Sequence, residues 1–258
     1  PGSRTGNARE VLMVSMHQNG MEITLTLQDM ERSNLMNYKI VTCFDEAALK
    51  ANASKLLEQF KGSWHPNFEF HCYYYNLDIK IPEYIKFMEE NKMHDGTESG
   101  AIAYTDMLDA VSAAPKVFAV SECAFENKES WMVWIDPHSL TLKDIRTTTL
   151  DNYLPEPSQN ADFVSLPESD YFMAFNIGRQ TAVDLMGDWR GAYMSGEFMN
   201  YREWSSSFIL SRLVTIYNAH GMNAHEIEDI TPVLVNLRDR NARALRDASG
   251  NRLIPLSE

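Results

Sequence analysis

Short apolar runs that alternate with helical segments constrain the fold of this chain more than any other feature. Tyr38–Phe44 and Trp131–Ile135 have the composition of strands that are buried on both faces of a sheet. Between them, residues 46–60 show the apolar spacing of a helix, and Asp45 precedes that helix as an N-cap. This alternation predicts an α/β fold, in which a mostly parallel central sheet carries helices on both faces.

The remaining elements follow from the same patterns. Pro115 has no backbone N–H to donate, so it is expected to end a helix that spans residues 104–114. The apolar residues 117–120 behind it then predict a separate strand. Further strands are predicted at 68–74, 162–166 and 171–176, and further helices at 82–90, 150–154, 179–193 and 203–219.

The N-terminal part of the chain predicts a β-hairpin. Residues 10–16 and 21–27 flank Asn19-Gly20, which is the strongest short turn signal in a sequence. We therefore expect three parts: a tag or disordered stretch over 1–9, a hairpin extension over 10–37, and a single domain over 38–258.

Bulk composition and cysteine content indicate a globular chain in a reducing compartment. With 44% hydrophobic residues, the 258 residues can bury a sizeable core. No run of about eighteen apolar residues is present, so no membrane span is expected. Three scattered cysteines, Cys43, Cys72 and Cys123, form no Cys-x-x-Cys pair, which favours a cytoplasmic location.

Charge and motif content disfavour several functions. The formal net charge is −13, whereas binding to a nucleic-acid duplex normally needs a basic surface that displaces counterions from phosphates. Gly-x-Gly-x-x-Gly, Walker and Gly-x-Ser-x-Gly motifs are absent from the sequence, which disfavours dehydrogenase, phosphotransferase and hydrolase activities.

Asp136-Pro137-His138 is the candidate site that the strand pattern itself indicates. Asp136 follows a five-residue apolar strand, and ligands of open α/β sheets bind beyond the carboxyl ends of the strands. A carboxylate and an imidazole two residues apart suit manganese or zinc better than calcium. The alternative is structural, because Asp-Pro-His-Ser also has the composition of a turn in which Asp136 accepts a backbone hydrogen bond.

Several short motifs, in their order and spacing, resemble a family of GT-A nucleotide-sugar glycosyltransferases common in bacteriophages and bacteria. The similarity extends over roughly residues 38–225. Trp131–Ile135 with Asp136 resembles the strand that delivers the family's metal-binding Asp-x-Asp. The other stretches are Tyr38-Lys39-Ile40-Val41-Thr42, Asp109-Ala110, Lys116-Val117-Phe118-Ala119, Phe172-Met173-Ala174-Phe175-Asn176, Ser195-Gly196-Glu197 and Arg202-Glu203-Trp204.

The resemblance implies a single Rossmann-like GT-A domain that binds a nucleoside diphosphate sugar with a divalent metal, manganese or magnesium. It also implies roles for particular residues. Asp136 and His138 would hold the metal, and Glu203 and Asp170 would be catalytic. The residues expected at the nucleotide sugar are Thr42, Phe44, Asp109, Asp136, Tyr171 and Trp204.

Three departures from the family pattern leave two functions open. His138 replaces the second acid of Asp-x-Asp, Ser205-Ser206 follows Trp204 where relatives often have His-Asp, and Asp247-Ala248-Ser249-Gly250 replaces a terminal His-x-Lys-Gly. One function is glycosyl transfer to an unidentified acceptor, and the phage relatives imply hydroxymethylated DNA bases as one candidate. The other is a catalytically silent relative that binds a nucleotide or a protein partner.

Overall fold

The computed structural model describes residues 14–17, 20–25, 38–74, 82–91, 110–125, 131–155, 160–167 and 169–237. No helix in these ranges has the length and apolar character needed to cross a membrane. The strands are β1 (Val14–His17), β2 (Gly20–Leu25), β3 (Tyr38–Phe44), β4 (Glu69–Tyr74), β5 (Trp131–Ile135), β6 (Ser139–Thr141), β7 (Phe163–Leu166), β8 (Ser169–Asn176), β9 (Ala224–Glu226) and β10 (Leu234–Asn236). The helices are α1 (Glu46–Ala48), which continues through a π-helical turn (Leu49–Ala53) into α2 (Ser54–Gly62), then α3 (Pro82–Asn91), α4 (Ala110–Phe125), α5 (Thr147–Asp151), α6 (Gln180–Met194), a 3-10 turn (Glu197–Asn200) and α7 (Ser206–Ala219).

The main sheet confirms the predicted fold class. In the described residues its strand order is β1-β2-β4-β3-β5-β8-β7-β9. β3 is parallel to both of its neighbours, β4 and β5, and β7 is parallel to β9. β8 is antiparallel to β5 and β7. Of the six strands from β4 across to β9, β8 alone therefore opposes the common direction.

The predicted N-terminal hairpin is also confirmed, although its second strand begins one residue earlier than predicted. β1 and β2 are antiparallel, and Gly20 pairs with His17, so Gly20 belongs to the second strand. Residues 18 and 19 lie outside the described residues. β2 also pairs with β4, so the hairpin extends the edge of the main sheet. The division into residues 1–9, 10–37 and 38–258 stays a prediction.

Helices cover both faces of the sheet because the side chains of each strand alternate between two cores. In β5, Met132 and Trp134 enter a cluster that contains residues of α3, α4, α6 and α7. Trp131, Val133 and Ile135 enter the opposite cluster, with residues of α2 and α5. β5 is fully buried as a result, which explains its unbroken apolar sequence.

The predicted strand at residues 117–120 is wrong, because these residues belong to α4, which continues through Pro115. Val117, Phe118 and Val120 are all fully buried. A helix that is apolar on all sides lacks the polar face that identifies a helix in sequence, so it resembles a buried strand. Pro115 removes one helical hydrogen bond, and the helix is held by its packing against β3, β5 and α6.

Candidate functional site

The carboxyl ends of β3 and β5 form a crevice at the point where the strand order reverses. β4 comes after β3 in the chain and lies on one side of it, whereas β5 lies on the other side. The chain segments that leave β3 and β5 therefore diverge, and open α/β sheets bind ligands at such switch points. Asp45 follows β3 and Asp136 follows β5, so both carboxylates lie at this edge. We call this crevice the switch-point cleft.

The switch-point cleft has a volume of about 440 Å³, which lies within the range of small-ligand pockets. Its wall combines residues that follow β3 and β5 with residues of α4, the start of β8 and the start of α7. The polar and aromatic side chains that line it are Cys43, Asp45, Ser112, Lys116, Trp134, Asp136, His138, Asp170 and Ser206.

Asp136 has a structural role through one of its two carboxylate oxygens. Oδ1 accepts a hydrogen bond from the backbone N–H of His138 at 2.8 Å, and the Asp136 carbonyl accepts one from the N–H of Ser139 at 2.9 Å. The predicted turn is therefore present. Oδ2 accepts no hydrogen bond from the described residues, so this oxygen is available to a ligand in the cleft.

His138 lies in the wall of the cleft, two residues beyond Asp136, and is only 6% exposed. Its Nδ1 lies 3.2 Å from the side-chain amide nitrogen of Asn52. Its carbonyl accepts a hydrogen bond from the N–H of Leu237 at 2.8 Å. That bond continues the pairing of β10 with β6, so the turn after β5 is held from two sides.

Lys116 was not predicted as a site residue, and it brings a positive charge into the cleft. Its Nζ lies 2.6 Å from Oδ2 of Asp170 and 3.3 Å from the Asp170 carbonyl oxygen. The ammonium group also lies 5.2 Å from the centre of the Trp134 ring, a favourable cation–π distance. The sequence does contain a signal for Lys116, since it is the one charged residue in the stretch 110–121 of α4.

Asp45 and Cys43 also lie in the wall of the cleft. Oδ1 of Asp45 accepts a hydrogen bond from the Ala48 N–H at 2.6 Å, which caps α1 as predicted. Burial raises the pKa of the Cys43 thiol far above its ordinary value, so Cys43 contributes a neutral thiol.

Thr42, Phe44, Tyr171 and Trp204 are buried in the core and do not line the cleft. Because strand side chains alternate, Phe44 faces the cluster of α2, and Cys43 faces the cleft. Tyr171 joins that same cluster, while Trp204 packs edge-on against Phe198. Asp109 lies outside the described residues. The expected contacts of these five residues with a nucleotide sugar stay predictions.

The two acids expected to be catalytic, Asp170 and Glu203, line the same second cavity. This cavity, of about 360 Å³, lies between β7, β8, β9 and α7, and we call it the α7 cavity. Oε1 of Glu203 accepts a hydrogen bond from the Ser205 hydroxyl at 2.5 Å. Asp170 lines both the α7 cavity and the switch-point cleft, so the two spaces adjoin at this residue.

No protein-family model matches the sequence, and none of the curated proteins does. Among solved structures, a glycosyltransferase involved in glycosylation of the major capsid of PBCV-1 is similar over 80% of this chain and 96% of its own, with 8% identity and a TM-score of 0.48. The apo form of the glycosyltransferase GlyE of Streptococcus pneumoniae TIGR4 is similar over 73% of this chain and 45% of its own, with 8% identity and a TM-score of 0.42.

Mouse xyloside xylosyltransferase 1 is similar over 74% of this chain and 85% of its own, with 11% identity and a TM-score of 0.40. In the comparison with GlyE, this chain spans less than half of the GlyE chain. Structural similarity at these identities and TM-scores supports no conclusion about activity. The fold class is assigned from the strand order of this chain.

Proposed function

We propose that this protein binds a nucleoside diphosphate sugar in the switch-point cleft and transfers the sugar to an acceptor. The observation that carries the proposal is the position of Asp136, which follows β5 at the reversal of strand order and lines a ligand-sized cleft. The resemblance of the sequence motifs to GT-A glycosyltransferases gives this cleft its proposed ligand.

The side chains of the cleft fit a divalent cation, manganese or magnesium. Three carboxylates, from Asp45, Asp136 and Asp170, face one ammonium group, from Lys116, so the wall is net negative and attracts cations. The described residues contain no group of three or more His, Cys, Asp or Glu side chains suited to a metal. Asp136 and His138 would hold the ion together with phosphate oxygens of the donor. A carboxylate and phosphate oxygens are usual ligands of magnesium, and the imidazole favours manganese over magnesium. A bound cation would neutralise the diphosphate leaving group.

The proposed transfer joins the acceptor hydroxyl oxygen to the anomeric carbon of the sugar. The bond from that carbon to the diphosphate breaks, and the diphosphate leaves with the electron pair. The hydroxyl proton passes to a carboxylate, for which Asp170 and Glu203 are the candidates. Asp170 borders both spaces, which supports a reaction centre at their junction.

A nucleotide-binding protein without turnover is the second candidate. It is favoured by the hydrogen bond from the His138 N–H to Asp136, which gives this carboxylate a structural reason to be present. The two candidates differ in sugar release. Incubation with a panel of nucleoside diphosphate sugars and manganese should release free sugar slowly, even without an acceptor, if the protein is a transferase. Binding of a nucleotide without any sugar release would favour the second candidate.

Calorimetric titration of UDP, GDP, CDP and ADP, with and without manganese, tests the proposal. One of them should bind with manganese, and Asp136→Asn should weaken that binding by about tenfold or more. Asparagine can still accept the hydrogen bond of the His138 N–H, so the turn survives while the charge is lost. The matched control is Asp144→Asn, which changes an exposed carboxylate outside the cleft. If no nucleotide binds, or Asp136→Asn binds like the control, the proposal fails.

A further inference from the structure

The α7 cavity adjoins the proposed reaction centre but lies outside the switch-point cleft, in which the diphosphate is proposed to bind. Ser206 lines the cleft and the next residue, Ser207, lines the α7 cavity, so the first turn of α7 separates the two spaces. On the other side, Asp170 forms part of both walls. A molecule in the α7 cavity would therefore meet a donor sugar at Asp170.

The lining of the α7 cavity is acidic. Among the described residues it includes Asp170, Glu203 and Glu226 and no Lys, Arg or His. The guanidinium groups of Arg202 and Arg212 lie over the ring of Phe208, another lining residue, and neither forms an ion pair with a described acid. Lys116 neutralises Asp170, whereas Glu203 and Glu226 form no ion pair with any described residue. A phosphate group in this cavity would lie against two carboxylates that form no ion pair with a described residue, and like charges that are brought together repel each other.

The other lining groups suit a molecule rich in hydroxyls. Four serines, Ser165, Ser169, Ser207 and Ser211, supply hydroxyls that donate and accept hydrogen bonds. Carboxylates accept bonds from hydroxyl donors, and these are the charge-assisted hydrogen bonds that bind sugars strongly. The apolar part of the wall, which includes Leu166, Met173 and Val214, suits the C–H groups of a sugar ring.

We propose that the α7 cavity is the acceptor site and that it takes a phosphate-free carbohydrate, whose hydroxyls bind Glu203, Glu226 and the serines. The inference rests on the proposed function, because it assigns the acceptor of the same transfer. It also disfavours nucleic acid as the acceptor, since every nucleotide would bring a phosphate towards Glu203 and Glu226, which form no ion pair with a described residue.

Saturation-transfer NMR with four methyl glycosides, of glucose, galactose, mannose and N-acetylglucosamine, tests this acceptor site without requiring catalysis. Glucose 6-phosphate and a single-stranded DNA oligonucleotide serve as the phosphate-bearing probes. Ser211→Trp should obstruct the cavity, because Ser211 is exposed on α7 and lines its wall. Thr215→Trp is the matched control, one helical turn further along the same exposed face and outside the lining.

At least one methyl glycoside should bind, and Ser211→Trp should weaken that binding by about tenfold or more, while Thr215→Trp leaves it unchanged. Neither phosphate-bearing probe should compete. Absence of glycoside binding, an equal effect of the two tryptophans, or competition by the oligonucleotide would each overturn the acceptor site. Manganese-dependent nucleotide binding is measured on the same samples, so failure of the donor site is seen separately.

Discussion

The switch-point cleft and the α7 cavity meet at Asp170 but treat their charges differently. In the cleft, Asp45 caps a helix, Asp136 accepts a turn hydrogen bond, and Asp170 pairs with Lys116. In the α7 cavity, Glu203 accepts a hydrogen bond from a serine hydroxyl, and Glu226 forms no ion pair with a described residue.

This difference separates two tasks that transfer requires. Groups that are held by backbone N–H donors and by a buried ammonium are fixed before a ligand arrives, which suits the binding of a charged donor and its cation. Carboxylates with few protein partners keep their acceptor capacity for hydroxyl groups of a second molecule.

The ion pair at the junction should be asymmetric in its contribution to stability. The side chain of Lys116 is 11% exposed and that of Asp170 is 41% exposed. Asp170→Asn removes the ion-pair partner of a buried ammonium, so we expect the free energy of unfolding to fall by about 2–3 kcal/mol. Lys116→Met leaves a carboxylate that water can reach, and the expected loss is under about 1 kcal/mol. Urea unfolding of both variants measures this, and a larger loss for Lys116→Met would contradict it.

The Cys43 thiol in the cleft should make stability fall at alkaline pH. Burial raises its pKa in the folded state far above its unfolded value, which is about 8.5. Below the unfolded pKa the thiol is protonated in both states, so the full stability is retained. As the pH rises above that value towards the folded pKa, only the unfolded state loses the proton, and the free energy of unfolding falls. Between pH 7 and 10, the free energy of unfolding should fall by about 2 kcal/mol more for the wild type than for Cys43→Ala. Equal pH dependence of the two proteins would show that the thiol is accessible to solvent.

Asp136 should tolerate asparagine better than alanine. Alanine removes the acceptor of the His138 N–H, and the expected loss of unfolding free energy is about 1 kcal/mol. Asparagine keeps that acceptor, so a change within about 0.5 kcal/mol is expected. Equal losses for the two variants, in thermal or urea unfolding, would mean that the charge itself stabilises the turn.

Glu203 and Glu226, which line the α7 cavity and form no ion pair with a described residue, should contribute least to stability. Glu226 is exposed and Glu203 is half-buried, so Glu203→Gln with Glu226→Gln should change the free energy of unfolding by less than about 0.5 kcal/mol per site. The double variant should lose glycoside binding and should no longer exclude glucose 6-phosphate. A destabilised double variant would show that these acids are structural, like those of the cleft.

The sequence predicted the cleft better than the α7 cavity for a physical reason. Asp136 follows a buried strand, and ligands of open α/β sheets bind beyond strand ends, so a local pattern was enough to place it at the cleft. Asp45 was predicted only as a helix cap. The α7 cavity collects residues from β7, β8, β9 and the region of α7, and no single segment carries its pattern. Glu203 and Asp170 were found through the family resemblance, whereas Glu226 and the serines had no signal.

The wrong strand at residues 117–120 and the burial of two predicted site residues also have local causes. Residues 114–121 of α4 are all buried, so this part of the helix lacks an amphipathic period, and Lys116 was placed just before a predicted strand. Thr42 and Phe44 were expected at the nucleotide, while Cys43 between them faces the cleft. A shift of one residue in a strand changes the face completely, and the sequence of a doubly buried strand gives no indication of which face is which.

Asp136 is proposed to hold a cation and a nucleoside diphosphate in the switch-point cleft. A crystal grown with manganese and the tightest-binding nucleoside diphosphate tests it directly, because manganese is identified by its anomalous scattering. We predict an anomalous peak in contact with Oδ2 of Asp136 and with the diphosphate. A peak elsewhere, or a nucleotide bound without any ligand at Asp136, would contradict the account and leave Asp136 as a turn residue alone.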